Sequence, residues 1–323
     1  MFSLPAEKKY WLALAGKVNI GWFSIKGAQG KKSQAAHPAK TPRKKHVQKR
    51  IPQVNLLYAA FLGILQGATE FLPVSSSGHL ALAEAFFHIE EAGLTFDIAL
   101  HLGTLLAILA YFCNDFYGMG LALIGRDTSA DAKQRRRMSI YIALATIPAV
   151  AAGLSCGDAA ETLLRGPATV AFFLSAAGFF LWLAEKKGDR QRSYGAITMK
   201  DAIIIGLAQA LALIPGVSRS GSTMTAGLFL GLNRSASAQF SFLLSAPIIF
   251  GAGIYKIPKI INLGLDQSQM LFYLTGFLSS AVSGYLVIAL LMKYVRTKSL
   301  TVFAYYRFFL SAIVVIALLL GYQ

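Results

Sequence analysis

The chain has 323 residues, of which 55% are hydrophobic and only 14% charged, with a formal net charge of +16. A soluble domain carries about 25% charged residues, so the composition excludes an ordinary water-soluble enzyme. It predicts an all-α polytopic membrane protein.

In chain order, residues 1–50 come first. They hold twelve Lys and Arg against one acid, Glu7, so +11 of the charge lies in this tail. Its low apolar content predicts a disordered extension that touches anionic lipid rather than nucleic acid. The stretch from Tyr10 to Ile25, interrupted by Lys17, is too short to span a bilayer and lacks a signal-peptide pattern. Residues 51–323 form the predicted membrane domain. Six mostly apolar runs follow: Phe96 to Phe112, Ile140 to Cys156, Pro167 to Ala184, Phe240 to Tyr255, Met270 to Met292 and Val302 to Tyr322. Each approaches the roughly 20 residues that cross a bilayer. Cys113 and Cys156 lie at span ends, without zinc spacing, and read as small apolar side chains.

Between these spans the sequence repeats itself. At an offset of 143, Gly63 matches Gly206, Gln66 matches Gln209, Ser75 matches Ser218, Ser77 matches Ser220 and Gly78 matches Gly221. In each copy an apolar helical stretch runs into a proline, Pro73 or Pro215, followed by serines suited to cap a new helix. The arms are too short to cross. This predicts two re-entrant helix–loop–helix segments within repeat halves at about 54–156 and 197–292. The loops Arg126–Met138 and Glu185–Lys200 are basic, and Gly157–Gly166 between them is not. The positive-inside rule puts the first two in the cytoplasm and the third outside. The first re-entrant segment then enters from outside and the second from inside, an inverted repeat with about six transmembrane helices. The basic tail falls outside, against the rule.

Two helix starts meeting near the bilayer middle would present free N–H groups to an anion. Arg219 adds a guanidinium whose fork matches phosphate oxygens. Ser76, Ser77, Ser218, Ser220 and Thr223 add hydroxyls. Gln66 and Glu70 are four apart and share a helix side. Glu70, within an apolar run, must pair with Arg219, a metal ion or a proton. A divalent ion bridging Glu70 and phosphate suits hard oxygen ligands; a plain Glu70–Arg219 ion pair is the alternative. His79 has the spacing from Ser75 and Ser76 of a base near a nucleophile. Asp97 and His101 read as structural support, and Gly63 and Gly67 as a helix-packing pair.

"QGATEFLPVSSSGH" and "PGVSRSGST" together resemble the undecaprenyl-diphosphate phosphatase family, the bacitracin-resistance proteins, from about residue 54 to the C-terminus. The family's (Glu/Gln)-x-x-x-Glu pattern falls on Gln66 and Glu70, with Gln an allowed variant. The resemblance implies a divalent-metal-dependent (Mg2+ or Ca2+) phosphatase of the bacterial cytoplasmic (inner) membrane, working on the external face. It would hydrolyse undecaprenyl diphosphate to the monophosphate and phosphate for cell-wall synthesis. The implied catalytic residues are Ser76 as nucleophile or phosphate ligand, His79 as proton-transfer partner, Glu70, and Arg219 as charge clamp. Ser75, Ser77, Gly216, Ser218, Ser220 and Thr223 would bind substrate, and Glu70 with Gln66 the metal. Expected partners are the polyprenyl lipid, the membrane and, as an oligomeric option, a second copy in a homodimer, with no nucleic acid. A transporter or flippase of polyprenyl phosphate is the competing expectation.

Overall fold

The protein was analysed as a computed structural model, which describes residues 55–87, 93–261 and 267–321. The basic tail, and with it the expectation of a lipid-touching arm, lies outside the described residues. Eleven α-helices occur among them: α1 (Leu56–Phe71), α2 (Ser76–Phe87), α3 (Gly93–Tyr111), α4 (Cys113–Leu123), α5 (Ala132–Leu163), α6 (Pro167–Lys187), α7 (Met199–Leu211), α8 (Arg219–Phe229), α9 (Arg234–Ile261), α10 (Gln267–Tyr294) and α11 (Thr301–Leu319). Five of these, α5, α6, α9, α10 and α11, are long and apolar enough to cross a membrane; the α3–α4 pair, bent by 75° at Phe112, has the length and apolarity of a sixth span if the two helices are counted as one. The chain is an all-α, multi-pass membrane protein.

The spans show why. On α10, Leu271, Leu274, Leu278, Val282 and Tyr285 are exposed, and on α11 Val302, Tyr305, Phe309, Ile313 and Ile316 are. These stripes recur every three or four residues and would be untenable in water. The opposite face of α10 is small: Gly276, Ser280, Ala281 and Gly284 are buried. Helices in lipid gain little from apolar contact and associate by close packing of small residues. Accordingly α1 lies on this face through Gly63 and Gly67. A Cβ at Gly67 would stand 2.6 Å from the Ser280 carbonyl oxygen and 2.7 Å from the Gly284 nitrogen.

The second copy repeats the device. Gly206 presses α7 against α5, where an added Cβ would lie 2.8 Å from the Ala145 Cα. Each first arm thus packs on a spanning helix of the other half, α1 on α10 and α7 on α5, while α6 and α11 pack together. The two halves interlock. At the 143-residue offset the α3–α4 pair falls on the single helix α9 and the residues after it; among the described residues α9 has no separate second helix matching α4. One sequence expectation is corrected: the basic residues of Arg126–Met138 are not all loop. Helix α5 starts at Ala132, so Lys133 to Arg137 occupy its first turns.

The basic segments come together at one end of the bundle. Arg137 Nη2 donates to the Gly195 carbonyl at 2.5 Å. Buried Glu185 accepts from Arg190 at 2.8 Å, from Arg234 at 2.8 and 2.7 Å, and from the Leu300 backbone N–H at 2.9 Å. The loops that the charge rule puts on the cytoplasmic side therefore share one end.

The glycine contacts carry a stability prediction. Gly67→Ala should lower the thermal unfolding midpoint in detergent, equivalent to about 1–3 kcal/mol, because the new methyl meets backbone. Gly120→Ala on α4, where a Cβ would have no heavy atom within 4 Å, should leave the midpoint unchanged or raised. Equal midpoints for the two variants would contradict the packing argument.

Candidate active site

The site grows from two chain breaks. Helix α1 stops because Pro73 holds Leu72 in an extended conformation, φ −66° and ψ 140°. Two residues later Ser75 adopts φ 76°, and in the second copy Ser218 adopts φ 70°. A non-glycine residue in this left-handed region is uncommon and tends to mark functional backbone. These are the same repeat position. Both serines cap the following helix: Ser75 Oγ accepts from Gly78 N at 3.2 Å and Ser218 Oγ from Gly221 N at 3.0 Å. Their hydroxyls also pair alike, Ser75 with Ser77 at 3.4 Å and Ser218 with Ser220 at 3.2 Å. The left-handed residue turns the chain back, so the first residues of the new helices, Ser76 and Arg219, stand at equivalent places.

The two tips meet. Ser220 Oγ donates to the Leu72 carbonyl at 3.0 Å. Arg307, fully buried on α11, donates from Nε to Pro73 O at 2.5 Å and from Nη1 to Val217 O at 3.3 Å. One guanidinium therefore holds the carbonyls of both loops, satisfying backbone that the two turns leave outside any helix.

Glu70 is the meeting point. Arg219 Nη2 donates to its Oε1, and Ser76 Oγ to its Oε2. Gln66 Nε2 donates to Oε2 at 3.0 Å, one helical turn away on α1. His101 Nε2 lies 3.8 Å from Oε2. A buried carboxylate is tolerated here because a guanidinium, a hydroxyl and an amide satisfy it. Two groups remain unspent. Arg219 Nη1 and Gln66 Oε1 are buried without a partner among the described residues.

Glu70, Ser76, His101 and Arg219 border a cavity of about 690 Å³, while Gln66, nominated with Glu70 as a metal ligand, is buried behind them and does not line it. Glu70, Ser76, Ser77, Ser218 and Arg219 line its polar end, and Ala149, Gly153, Ile248 and Gly251 contribute to its apolar walls. It extends toward Gly157, Arg165 and Lys256, where Arg165 pairs with Asp97 at 3.4 Å. This is the end away from the basic cluster around Glu185.

Other sequence-nominated residues are not brought to the cavity wall. His79 is one. Its Nδ1 lies 2.7 Å from the Ser75 carbonyl, so this nitrogen donates, and Nε2 accepts from the Tyr306 hydroxyl at 2.7 Å. Its ring lies nearly parallel to that of Tyr306, at 5°. Both imidazole nitrogens are thus spent behind the Ser75 turn. Thr223 Oγ1 donates to Arg219 O at 2.8 Å and lies 2.6 Å from Ser241 Oγ on α9, which ties α8 to the bundle. Ser220 links the two tips, and Ser75 serves as a cap. Gly216 has φ 96° and sits where a Cβ would approach Val170 O at 2.7 Å, so it shapes the turn. His101, expected only as support, lines the cavity. Tyr306 and Arg307 were missed altogether. An arginine inside the apolar run from Val302 is itself a signal of a buried polar role.

Fold and site together define a class: an intramembrane protein in which two inverted re-entrant helix–turn–helix segments join a carboxylate, a serine and an arginine at the floor of one cavity. The comparisons narrow this further. The family model described as bacitracin resistance protein BacA matches residues 59–313, and the chain belongs to this family. A protein of Rubrobacter xylanophilus named undecaprenyl-diphosphatase is 45% identical over 274 residues, covering 83% of this chain and 100% of the relative. Proteins of the same name from Moorella thermoacetica and Thermomicrobium roseum are 44% and 43% identical, covering 81% of this chain and 97% and 98% of their own lengths.

Proposed function

We propose that the chain hydrolyses undecaprenyl diphosphate to undecaprenyl phosphate and phosphate, in the bacterial cytoplasmic membrane, with the cavity facing the external side. In that role it recycles the lipid carrier of cell-wall synthesis and supports bacitracin resistance. The observation that carries the reading is the convergence of Ser76 and Arg219, each the first residue of its helix, on the two oxygens of Glu70. The family membership supports the substrate. The sidedness rests on the basic loops, which share the end away from the cavity.

The chemistry follows from the contacts. The terminal phosphate sits against the starts of α2 and α8, where N–H groups and helix dipoles favour an anion. Arg219 keeps Nη2 on Glu70 and offers the unpartnered Nη1 to a phosphate oxygen. Ser76 Oγ already donates to Glu70, so the carboxylate is the group that takes its proton. Oγ attacks the terminal phosphorus, the bond to the bridging oxygen breaks, and the lipid monophosphate leaves. The proton on Glu70 passes to the departing lipid phosphate or to solvent; water then displaces phosphate from Ser76, giving its proton to Glu70, and Ser76 Oγ is reprotonated from the same carboxyl. Arg219 stabilises the charge that develops on the transferring group. His79 positions the turn, through the Ser75 carbonyl and Tyr306, and transfers no proton.

The donor set fits a divalent ion in one limited way. Among the described residues no three His, Cys, Asp or Glu side chains cluster as a cage. Gln66 Oε1, however, is a buried hard oxygen without a partner, beside the Glu70 carboxylate. Mg2+ is commonly held by one or two protein oxygens and completed by substrate phosphates. Gln66 and Glu70 would hold such an ion, which would neutralise charge on the diphosphate.

Purified protein in detergent, given a polyprenyl diphosphate, should release inorganic phosphate. Transfer of lipid phosphate across vesicles without phosphate release would instead make it a flippase.

The apolar wall formed by Ala149 and Gly153 on α5 and by Ile248 and Gly251 on α9 is where the prenyl chain would lie. Gly251 on α9 lines this wall, and a Cβ there would meet nothing within 4 Å. Gly251→Phe should fill the gap without backbone clash. The KM for undecaprenyl diphosphate should rise about tenfold, and that for a short prenyl diphosphate much less. Equal changes for both chain lengths would place the lipid elsewhere.

A further inference from the structure

Gln209 is the one cavity-lining residue whose amide has both polar atoms buried and unpartnered among the described residues. Its side chain is on α7, 3% exposed, and neither Nε2 nor Oε1 has a hydrogen-bond partner. Yet it lines the same cavity as Glu70, Ser76 and Arg219. An amide removed from water without replacement bonds is a net cost to the fold. A buried polar group without a partner calls for an explanation, and beside a cavity a ligand or water that completes it is the direct one.

The repeat explains how the amide became free. Gln209 is the counterpart of Gln66, 143 residues earlier. Gln66 spends its Nε2 on Glu70, four residues on along α1. In the second copy the position four residues on is Leu213, so Gln209 has no carboxylate to hold. The surrounding geometry is otherwise kept. Gly206, three residues before it, presses α7 on Ala145 as Gly63 presses α1 on α10, and this sets the rotation of the helix. The repeat thus leaves one glutamine on the carboxylate and the other on a helix that lines the cavity, with its buried amide unspent.

We propose that Gln209 is a substrate-binding residue. Its Nε2–H donates to a non-bridging oxygen of the diphosphate, and Oε1 accepts from a water or a protonated phosphate oxygen on the same group. The assignment rests on the phosphatase reading above for the identity of the ligand. Arg219 and Gln209 then approach the phosphate from α8 and α7, and Ser76 from α2. A site built to hydrogen-bond its ligand discriminates strongly when the bond is lost, because the remaining groups are left unpaired.

The test uses the full-length protein in detergent, with farnesyl diphosphate as substrate and inorganic phosphate as competing product. Gln209→Leu should raise KM and the inhibition constant of inorganic phosphate together, by about 10- to 100-fold, the range for a hydrogen bond to a charged group. Its thermal midpoint should be unchanged or higher, since an apolar side chain strands no polar atom. A merely structural glutamine would behave in the opposite way, losing midpoint and keeping both constants. Gln209→Met, unbranched and similar in length, serves if the leucine variant folds poorly. Unchanged KM and inhibition constant in a folded variant would overturn the proposal, as would failure of both variants to fold. The parent protein separates the two readings. A parent that releases no phosphate would refute the hydrolase assignment; an active parent with indifferent Gln209 variants would refute only this one.

Discussion

Arg219→Lys should lower phosphate release by at least about 100-fold, with the protein still folded. Loss of one well-aligned donor to a developing anion costs about 10²–10³ in rate. Lysine keeps the charge, so the pairing with Glu70 is partly preserved and gross misfolding is not expected. What lysine lacks is the fork. In the structure Arg219 uses one arm on Glu70 while the other, Nη1, has no partner among the described residues. A single ammonium cannot hold the carboxylate and a phosphate oxygen in that fixed geometry. The measurement is kcat and KM on a polyprenyl diphosphate, with the thermal midpoint in parallel. Near-normal turnover in the lysine variant would reduce Arg219 to a counter-ion.

Glu70→Gln should be at least as damaging, with a loss of about 10²–10⁴ in kcat, the usual contribution of a positioned general base. Three contacts converge on this carboxylate, from Arg219, Ser76 and Gln66. The amide cannot take the Ser76 proton, and it leaves Arg219 as a buried charge without its anion, which is destabilising. The midpoint should therefore fall as well. Metal titration separates two roles for Glu70. If it served only to hold a divalent ion, excess Mg2+ should restore much of the rate. As the base for Ser76 it should remain inactive at any metal concentration. Full activity of the parent in chelator would remove the ion from the mechanism.

Much of this protein can be read along the chain. Six apolar runs, two proline-broken serine turns and the 143-residue offset are local patterns, and hydropathy and backbone sterics act over the same short distances. The pairing of Ser75 with Ser218 is a case in point. Both take the left-handed conformation, φ 76° and 70°, and the identical "VS" and "SG" steps around them already marked equivalent backbones. The bend of 75° between α3 and α4 was hidden for the converse reason. No proline or glycine stands at Phe112, and packing rather than local sequence turns the chain there.

The roles of individual polar side chains divide on the same principle. Composition, repeat and motif were enough to nominate Glu70, Ser76 and Arg219, because a charge or a serine cluster in an apolar run has few uses. Which groups line the cavity depended on the tertiary structure. His79 is close to Ser76 in sequence, but the left-handed turn sends its ring to Tyr306, 227 residues away. Arg307 joins two loops that are 144 residues apart in the chain, at Pro73 and Val217. His101 and Gln209 reach the cavity only because α3 and α7 are held against spanning helices by small residues on facing helices. Hydrogen bonds and close packing are short-ranged and indifferent to sequence separation. A one-dimensional pattern can therefore identify the polar groups, while the interlocking of the two halves decides which of them share a site.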